Sequence, residues 1–123
     1  GKRAALMTTT AATDDLDLLR GTLDLLILKT LSWGPMHGLG VLRWIERATD
    51  DRLQIEEGAL YPSLHRMEQR GWLDATWGYT EKNRKAKFYR LTPIGRRQLA
   101  TEVSRWSRYA EVVGMVLTAR GAG

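Results

Sequence analysis

The groups best suited to chemistry in this sequence lie in the stretch Glu56–Arg70. A phenol, a hydroxyl, an imidazole and a guanidinium occur there at short intervals, on Tyr61, Ser63, His65 and Arg66. All four side chains can donate hydrogen bonds to phosphates or to base edges. An α-helix fits the major groove of DNA, and residues near its N-terminus reach the bases. The stretch therefore predicts a helix that reads DNA.

Each of these side chains also has an interpretation without DNA. Arg66 could pair with an acidic residue of the same helix, and Tyr61 could pack against neighbouring strands. We favour DNA contact for Tyr61, Pro62 and Arg66 as a set. For His65, a hydrogen bond inside the domain stays open as an alternative.

A run of positive charge follows this stretch. Residues 79–97 contain seven basic side chains against Glu81 alone, whereas the other residues sum to −1. A local basic patch is typical of a surface that binds a polyanion. A solvated loop would explain the positive charge equally well. We favour DNA binding because the predicted reading helix lies next to this loop in the sequence. The groups expected to neutralise phosphates or enter a minor groove are Asn83, Arg84, Lys85 and Lys87.

Patterns typical of catalytic and metal-binding sites are missing from the sequence. It has no cysteine, and its two histidines, His37 and His65, are separated by a predicted helix and a turn. The adjacent acids Asp50–Asp51 and Glu56–Glu57 indicate a loop and a helix cap rather than a catalytic pair. We therefore predict no enzymatic activity, no metal and no cofactor. No membrane-spanning run or secretory signal is visible, so we expect a cytoplasmic protein without a membrane partner.

Apolar spacing predicts three helices in the first seventy residues. The first begins at Thr13-Asp14-Asp15 and ends at Ser32–Pro35. It is apolar on two faces, so we expect one face in the core and the other against a second partner, such as another subunit. The second helix covers roughly residues 39–48. The third covers about residues 58–70, with a core side of Leu60, Leu64 and Met67.

Glycine and proline positions refine these helices. Gly38 and Gly40, near the start of the second helix, indicate close approach of the backbone to another helix or to a phosphate. Pro62 is expected in the first turn of the third helix, where its missing N–H costs little. Gly71 is expected to end that helix.

Two strands and a last helix complete the predicted fold. Residues 72–79 and 86–91 alternate as strands, and residues 80–85 form a basic hairpin loop between them. Thr92-Pro93 predicts the start of a helix that extends to about Thr118. The order α-α-α-β-β-α predicts a mainly α (α+β) winged helix-turn-helix. We expect a flexible segment at 1–13, a DNA-binding domain at 14–91, a dimerisation helix at 92–118 and a flexible tail at 119–123. Met7 is a candidate natural start, with residues 1–6 preceding it.

The last helix carries a narrow apolar seam suited to a partner helix. We predict dimerisation through Leu99, Val103, Trp106, Val113 and Leu117. The chain has five tryptophans. We assign the other four to packing within the domain, namely Trp33, Trp44, Trp72 and Trp77.

Several segments of the chain resemble the PadR-type transcriptional regulators. They are LRGTLDLLILKTLSWGPMHGLGVLRWIE, EEGALYPSLHRMEQRGWLDATWG, RKAKFYRLTPIGRRQL and SRWSRY, which together span roughly Leu19 to Tyr109. The combination GxLYPxLHRxE with a later KFYRLTxxG is highly specific. The single short final helix resembles the subgroup with a minimal dimerisation region. The resemblance implies a bacterial, cytoplasmic homodimer that binds operator DNA, usually represses transcription and is released by a small molecule or another signal.

The resemblance also implies roles for individual residues. Family members use the position of Ala59 against DNA, and the strand face that carries Lys87 and Tyr89 contributes to the contact. Relatives that sense several drugs stack flat aromatic ligands between two copies of the tryptophan that matches Trp106. If this chain has such a pocket, its neighbours would be Tyr109 and Leu16 or Leu19. The alternative, which we favour, is that Trp106 fills a dimer interface without a ligand.

These observations predict a homodimeric DNA-binding regulator, most simply a repressor, that recognises a near-palindromic operator in double-stranded DNA. A ligand-responsive regulator, released by a small planar aromatic effector at the dimer interface, stays open. A winged-helix module that binds a protein partner, without specific DNA binding, is the alternative. The intact stretch from Gly58 to Arg66 and the basic hairpin argue against that alternative.

Overall fold

A computed structural model of the chain describes residues 21–121. The described part of the first helix, α1, comprises residues 21–31. The elements that follow are β1 (Met36–His37), α2 (Gly38–Ala48), α3 (Glu57–Gln69), β2 (Leu73–Tyr79), β3 (Lys85–Leu91) and α4 (Pro93–Leu117). The predicted mixed α+β winged helix-turn-helix is confirmed, with β1 as an addition. The predicted start of the first helix, the segment 1–13, and Leu16 and Leu19 lie outside the described residues.

The three strands form one antiparallel sheet in the order β1-β3-β2. The long hairpin pairs β2 with β3 from Leu73 opposite Leu91 to Tyr79 opposite Lys85. The short strand β1 adds only two pairs to β3, one of which joins His37 to Phe88. A strand of two residues is too short to show alternation, so no pattern in the sequence indicated β1.

The core lies where α1, α2 and α3 meet one face of the sheet. It contains aliphatic side chains that are at most 8% exposed, among them Leu23, Ile27, Val41, Ile45, Leu60, Leu64, Met67, Leu73 and Leu91. Burying one such side chain contributes about 1.5–3 kcal/mol. The core positions predicted for α3 are confirmed, and they fix which side of this helix remains at the surface.

The start of α4 is held tightly against the end of the sheet. The Thr92 hydroxyl donates to the Gly71 carbonyl at 2.6 Å and accepts from the Gly95 amide at 3.0 Å, which caps the helix as the sequence predicted. A Cβ placed on Gly95 would lie 2.0 Å from the Trp72 carbonyl oxygen. Only glycine allows this close approach. Beyond residue 103, α4 extends away from the core, with nearly all of its side chains exposed. Within residues 21–121, no helix has the length and apolar character needed to span a membrane.

The position of Pro62 differs from the prediction. Because α3 begins at Glu57, Pro62 is the sixth residue of the helix and lies inside it rather than in its first turn. Proline cannot donate the backbone hydrogen bond to the residue four positions earlier, which here is Gly58. The N-terminal half of α3 therefore has one fewer helical hydrogen bond than a regular helix. Gly71, with a φ of 79°, follows the helix end as expected.

The packing assignment is wrong for two of the tryptophans. Trp44 and Trp72 pack partly buried against the core, as predicted. Trp33 and Trp77 are instead 64% and 66% exposed. Trp33 lies in the turn after α1, and Trp77 lies near the tip of β2, so both are beyond the reach of the core.

Candidate nucleic-acid interface

The exposed face of α3 carries three of the side chains predicted to meet DNA. Tyr61, Pro62 and His65 are exposed, and Tyr61 is 41% accessible. Ala59, one turn earlier than Ser63, is half-buried and packs against the core. The exposed three face away from the core because the adjacent positions Leu60 and Leu64 point into it.

Tyr61 is held in place by the start of α2. A Cβ on Gly38 would lie 2.6 Å from Cε1 of Tyr61, so the ring packs directly on the backbone of Gly38. Of the two explanations offered for this glycine, close approach to another helix is the one observed. Desolvation by burial, followed by the nearby Glu57, raises the pKa of Tyr61. The phenol therefore remains a neutral hydrogen-bond donor at physiological pH.

Ser63 does not share the exposed face. It is 3% exposed and lies with Leu64 and Met67 on the buried side of α3. This burial argues against the predicted contact between Ser63 and DNA, because the hydroxyl faces the interior of the domain.

Arg66 forms an ion pair that the sequence analysis did not predict. Its Nη2 contacts both carboxylate oxygens of Asp24 in α1, at 2.7 and 2.8 Å. The side chains are 33% and 17% exposed, so the pair is partly shielded from water. The partner is on another helix, 42 residues away, rather than on α3 itself. Arg66 therefore ties the candidate reading helix to α1.

The tip of the β2–β3 hairpin is an ordered turn. The Thr80 amide donates to the Arg84 carbonyl at 2.9 Å, and the Asn83 amide donates to the Thr80 carbonyl at 2.8 Å. Asn83 has a φ of 59°, a left-handed conformation that asparagine tolerates better than most residues. Asn83 therefore has a structural role in this turn, which presents the basic residues beside it.

The basic side chains of the hairpin differ in their environments. Arg84 is exposed. Lys85 places its ammonium 5.3 Å from the centre of the Trp77 ring. Lys87 donates to Oε1 of Glu68 in α3 at 3.0 Å, and this hydrogen bond raises the pKa of Lys87. Lys87 therefore already has an ion-pair partner within the protein.

Tyr89 is more buried than the prediction requires. It is 6% exposed and belongs to the core, and desolvation by burial raises the pKa of its phenol. Lys87 and Tyr89 do lie side by side, because the Lys87 ammonium is 5.7 Å from the Tyr89 ring. Burial argues against a direct contact between the Tyr89 ring and DNA.

A cleft, which we call the wing cleft, lies between the start of α2, Tyr61 of α3 and the hairpin. Tyr61 and Trp77 both line it. Its charged lining is one acid, Glu81, and five bases, namely Arg43, Lys82, Arg84, Lys85 and Lys87. Arg43 and Trp77 were not predicted as site residues. The sequence carried no signal for them, because only the folded chain brings α2 and the tip of β2 beside α3.

A second cavity lies between α1 and α4, and we call it the seam cavity. Its lining includes Gly21 and Leu25 from α1 and Trp106 and Tyr109 from α4. The two aromatic rings are 6.2 Å apart between centroids, and about half of each side chain is exposed. Tyr109 was predicted as a neighbour of Trp106 if a ligand pocket exists, and the two rings do lie side by side.

The residues predicted for dimerisation are exposed, with one exception. Val103, Trp106, Val113 and Leu117 are between 36% and 77% exposed. Leu99 instead packs against the core of its own domain. The exposed part of the seam therefore begins at Val103, where α4 leaves the core.

Among the described residues, no group of three or more metal-ligating side chains comes together. His37 is occupied in the fold. Its Nδ1 accepts from the Gly40 amide at 3.4 Å, which caps α2, and its ring meets Phe88 edge to face.

Comparison with known proteins agrees with this geometry. Residues 27–101 match the transcriptional regulator PadR-like family. An uncharacterized protein of Lysinibacillus sphaericus is 29% identical over 101 residues, covering 82% of this chain and 93% of that protein. A PadR family transcriptional regulator from Eggerthella lenta superposes with a TM-score of 0.77 at 28% identity, covering 94% of this chain and 99% of that one. A transcriptional regulator from Clostridium thermocellum gives a TM-score of 0.73 at 28% identity, covering 80% and 95% of the two chains.

The family match covers more than half of the chain, and it includes α2, α3, the hairpin and the start of α4. It places the chain among DNA-binding regulators, which are not enzymes. The protein therefore belongs to the PadR-like family of transcriptional regulators.

Proposed function

We propose that the protein is a homodimeric repressor in the bacterial cytoplasm that binds a near-palindromic operator in double-stranded DNA. The observation that carries the proposal is the wing cleft, where five basic side chains and Tyr61, from the exposed face of α3, line one furrow. Such a surface is best suited to bind a polyanion whose groove accommodates an α-helix.

The helix α3 and the hairpin have different tasks in this proposal. Tyr61, Pro62 and His65 enter the major groove, with Ala59 at the edge of the contact. Arg84, Lys85 and Lys87 neutralise phosphates, and Asn83 keeps the turn in shape. For Arg66 to contact DNA through Nη2, its ion pair with Asp24 would have to break. Positive charge supplies most of the affinity, while the helix supplies the selectivity.

Dimerisation through α4 sets the distance between two copies of α3. A helical seam from Val103 to Leu117 has no partner within the described part of its own chain, since these side chains are exposed. A second copy is the partner that covers it by symmetry. Two recognition helices about one helical turn of DNA, ~34 Å, apart require half-sites with the same spacing.

The seam cavity is the candidate site for release by a small molecule. Its volume is about 570 Å³, within the usual range of roughly 300–1,000 Å³ for ligand pockets. Trp106 and Tyr109 offer flat, polarisable faces to a planar aromatic compound. A ligand there would bias the spacing of the two reading helices. The simpler interpretation, in which the partner subunit fills the space around Trp106, needs no ligand. Quenching of tryptophan fluorescence by a planar dye that is unchanged in Trp106→Ala would count against the ligand.

The salt dependence of DNA binding tests the role of the hairpin. Wild type, Arg84→Ala and Lys85→Ala are compared by fluorescence anisotropy on a labelled duplex that flanks the gene and on a shuffled duplex. Each phosphate contact contributes about 0.9 to the slope of log K against log salt, so losing one per subunit lowers the slope by about 1.8. Arg120→Ala serves as the control, because Arg120 is exposed beyond α4 and does not line the wing cleft. An unchanged slope in both hairpin variants would contradict the proposal.

A protein-interaction module is the other candidate function. It would bind the flanking duplex no better than the shuffled one, and a partner protein would co-purify. The wing cleft argues against it, because its lining has a strong excess of positive charge.

A further inference from the structure

Trp77 has a position that the proposed DNA contacts do not yet explain. It lies on β2 opposite Lys87, lines the wing cleft and is 66% exposed. The indole is too far along the hairpin to pack in the core. Burying a large aromatic side chain away from water is favourable. An exposed indole at the border of a binding cleft therefore points to a partner that buries it.

The surroundings of Trp77 indicate the chemistry of that partner. The Lys85 ammonium sits 5.3 Å from the centre of the ring, and four more basic side chains line the same cleft. A cationic protein surface would be repelled by these charges. An apolar protein surface would remove water from the basic side chains without pairing them, which is unfavourable. The sugar–phosphate backbone of duplex DNA fits both features, because the deoxyribose is apolar and the phosphates are anionic.

We propose that Trp77 and Lys85 form one contact with a single stretch of DNA backbone. The indole packs against a deoxyribose, and the Lys85 ammonium pairs with an adjacent phosphate. This inference rests on the proposed DNA binding and adds to it a contact that is independent of sequence and partly apolar. Trp77 anchors the hairpin on the backbone, and α3 reads the bases.

The two residues of this contact should differ in how salt affects them. Trp77→Ala weakens binding to the flanking and the shuffled duplex by the same factor, roughly tenfold if most of an aromatic ring is buried. Its salt slope stays that of wild type, because an indole releases no counterions. Lys85→Ala lowers the slope. A Trp77→Ala variant that loses affinity only for the flanking duplex would show that Trp77 reads sequence and would overturn the backbone contact.

Trp33 provides a matched control within the same chain. It is 64% exposed and has the Lys29 ammonium 5.0 Å from its ring, yet it lies in the turn after α1 and does not line the wing cleft. Trp33→Ala should leave the affinity for both duplexes unchanged. Both tryptophans are mostly exposed, so neither substitution should lower the melting temperature by more than a few degrees.

The decisive experiment measures acrylamide quenching of the full-length protein with and without the shuffled duplex. In wild type and in Trp33→Phe, DNA should shield part of the tryptophan fluorescence from acrylamide. In Trp77→Phe this shielding should be lost or strongly reduced while the labelled duplex still binds. Shielding that persists in Trp77→Phe, or unchanged affinity in Trp77→Ala, would refute the inference and leave DNA binding intact. If wild type binds no duplex at all, the proposed function fails and this inference fails with it.

Discussion

At the scale of single residues, the ion pair between Asp24 and Arg66 connects α1, which borders the seam cavity, to α3, the proposed reading helix. Nη2 of Arg66 lies 2.7 Å from Oδ1 and 2.8 Å from Oδ2 of Asp24. Contacts this short between charged groups are stronger than neutral hydrogen bonds. The pair therefore sets how α3 is held against α1, and Arg66 acts as a positioning residue.

A double-mutant cycle tests this role. Asp24→Asn, Arg66→Gln and the double variant are unfolded in urea, and the change in the free energy of unfolding is compared. Because the pair is only partly shielded, we expect each single change to cost about 1 kcal/mol and the double change to cost little more than one of them. Fully additive losses would show that the two side chains do not interact in solution.

The sequence predicted the environments of single side chains less well than it predicted the helices and strands. It predicted that Tyr61, Ser63, His65 and Arg66 all face outward. Hydrophobic periodicity locates the centre of the buried face of a helix but not its edges, and small Ser63 falls on the buried side at 3% exposure. The partner of Arg66 lies 42 residues away, a distance in sequence that no local pattern reports.

At the scale of elements, the junction between the sheet and α4 determines the direction in which α4 leaves the domain. The Thr92 amide donates to the Trp72 carbonyl, the Thr92 hydroxyl caps the helix, and Gly95 sits against that same carbonyl. These contacts leave α4 little freedom at its first turn. Any change there alters the angle at which α4 leaves the DNA-binding domain.

Two glycines in α4 give a matched test of this junction. A Cβ on Gly95 would lie 2.0 Å from a backbone oxygen, which cannot move aside, so Gly95→Ala should cost roughly 2–4 kcal/mol. A Cβ on Gly114 would meet nothing within 4 Å, so Gly114→Ala should stabilise the helix by about 0.5–1 kcal/mol. Thermal unfolding of both variants measures the difference. Equal effects from the two substitutions would mean that α4 is not fixed where we describe it.

The helices and the hairpin were predictable because each rests on local signals. The cap at Thr92 with Pro93 after it, and the apolar spacing of Leu60, Leu64 and Met67, are both visible in the sequence. Strand β1 was not predictable, because it exists only through its pairing with β3. The sequence indicated a reading helix and a basic loop separately. That both line one cleft became visible only in the folded structure.

At the scale of the whole molecule, α4 is a long helix that carries exposed apolar side chains along its outer half. Val103, Trp106, Val113 and Leu117, on one side of this helix, are 36% to 77% exposed. A surface of this kind is unfavourable in water unless another molecule covers it. In the proposed dimer, the seam that covers these residues also sets the spacing of the two wing clefts.

Introducing a charge into the seam tests the dimer. Val113→Asp should shift the protein to a monomer in analytical ultracentrifugation, because an unpaired carboxylate in an apolar interface costs several kcal/mol. Ser104→Asp is the control, since Ser104 is nine residues earlier and so lies on the opposite side of the helix at about 3.6 residues per turn. If Val113→Asp sediments as wild type does, or if wild type is itself a monomer, the proposed seam is wrong.

The central claim is that two copies of α3, each beside its wing, read two half-sites of one operator. Hydroxyl-radical footprinting of wild-type protein on the DNA that flanks its gene tests this most directly. The result we predict is a pair of protected patches related by two-fold symmetry and centred about one helical turn, ~34 Å, apart. A single protected patch, or protection no different from that on shuffled DNA, would contradict the account.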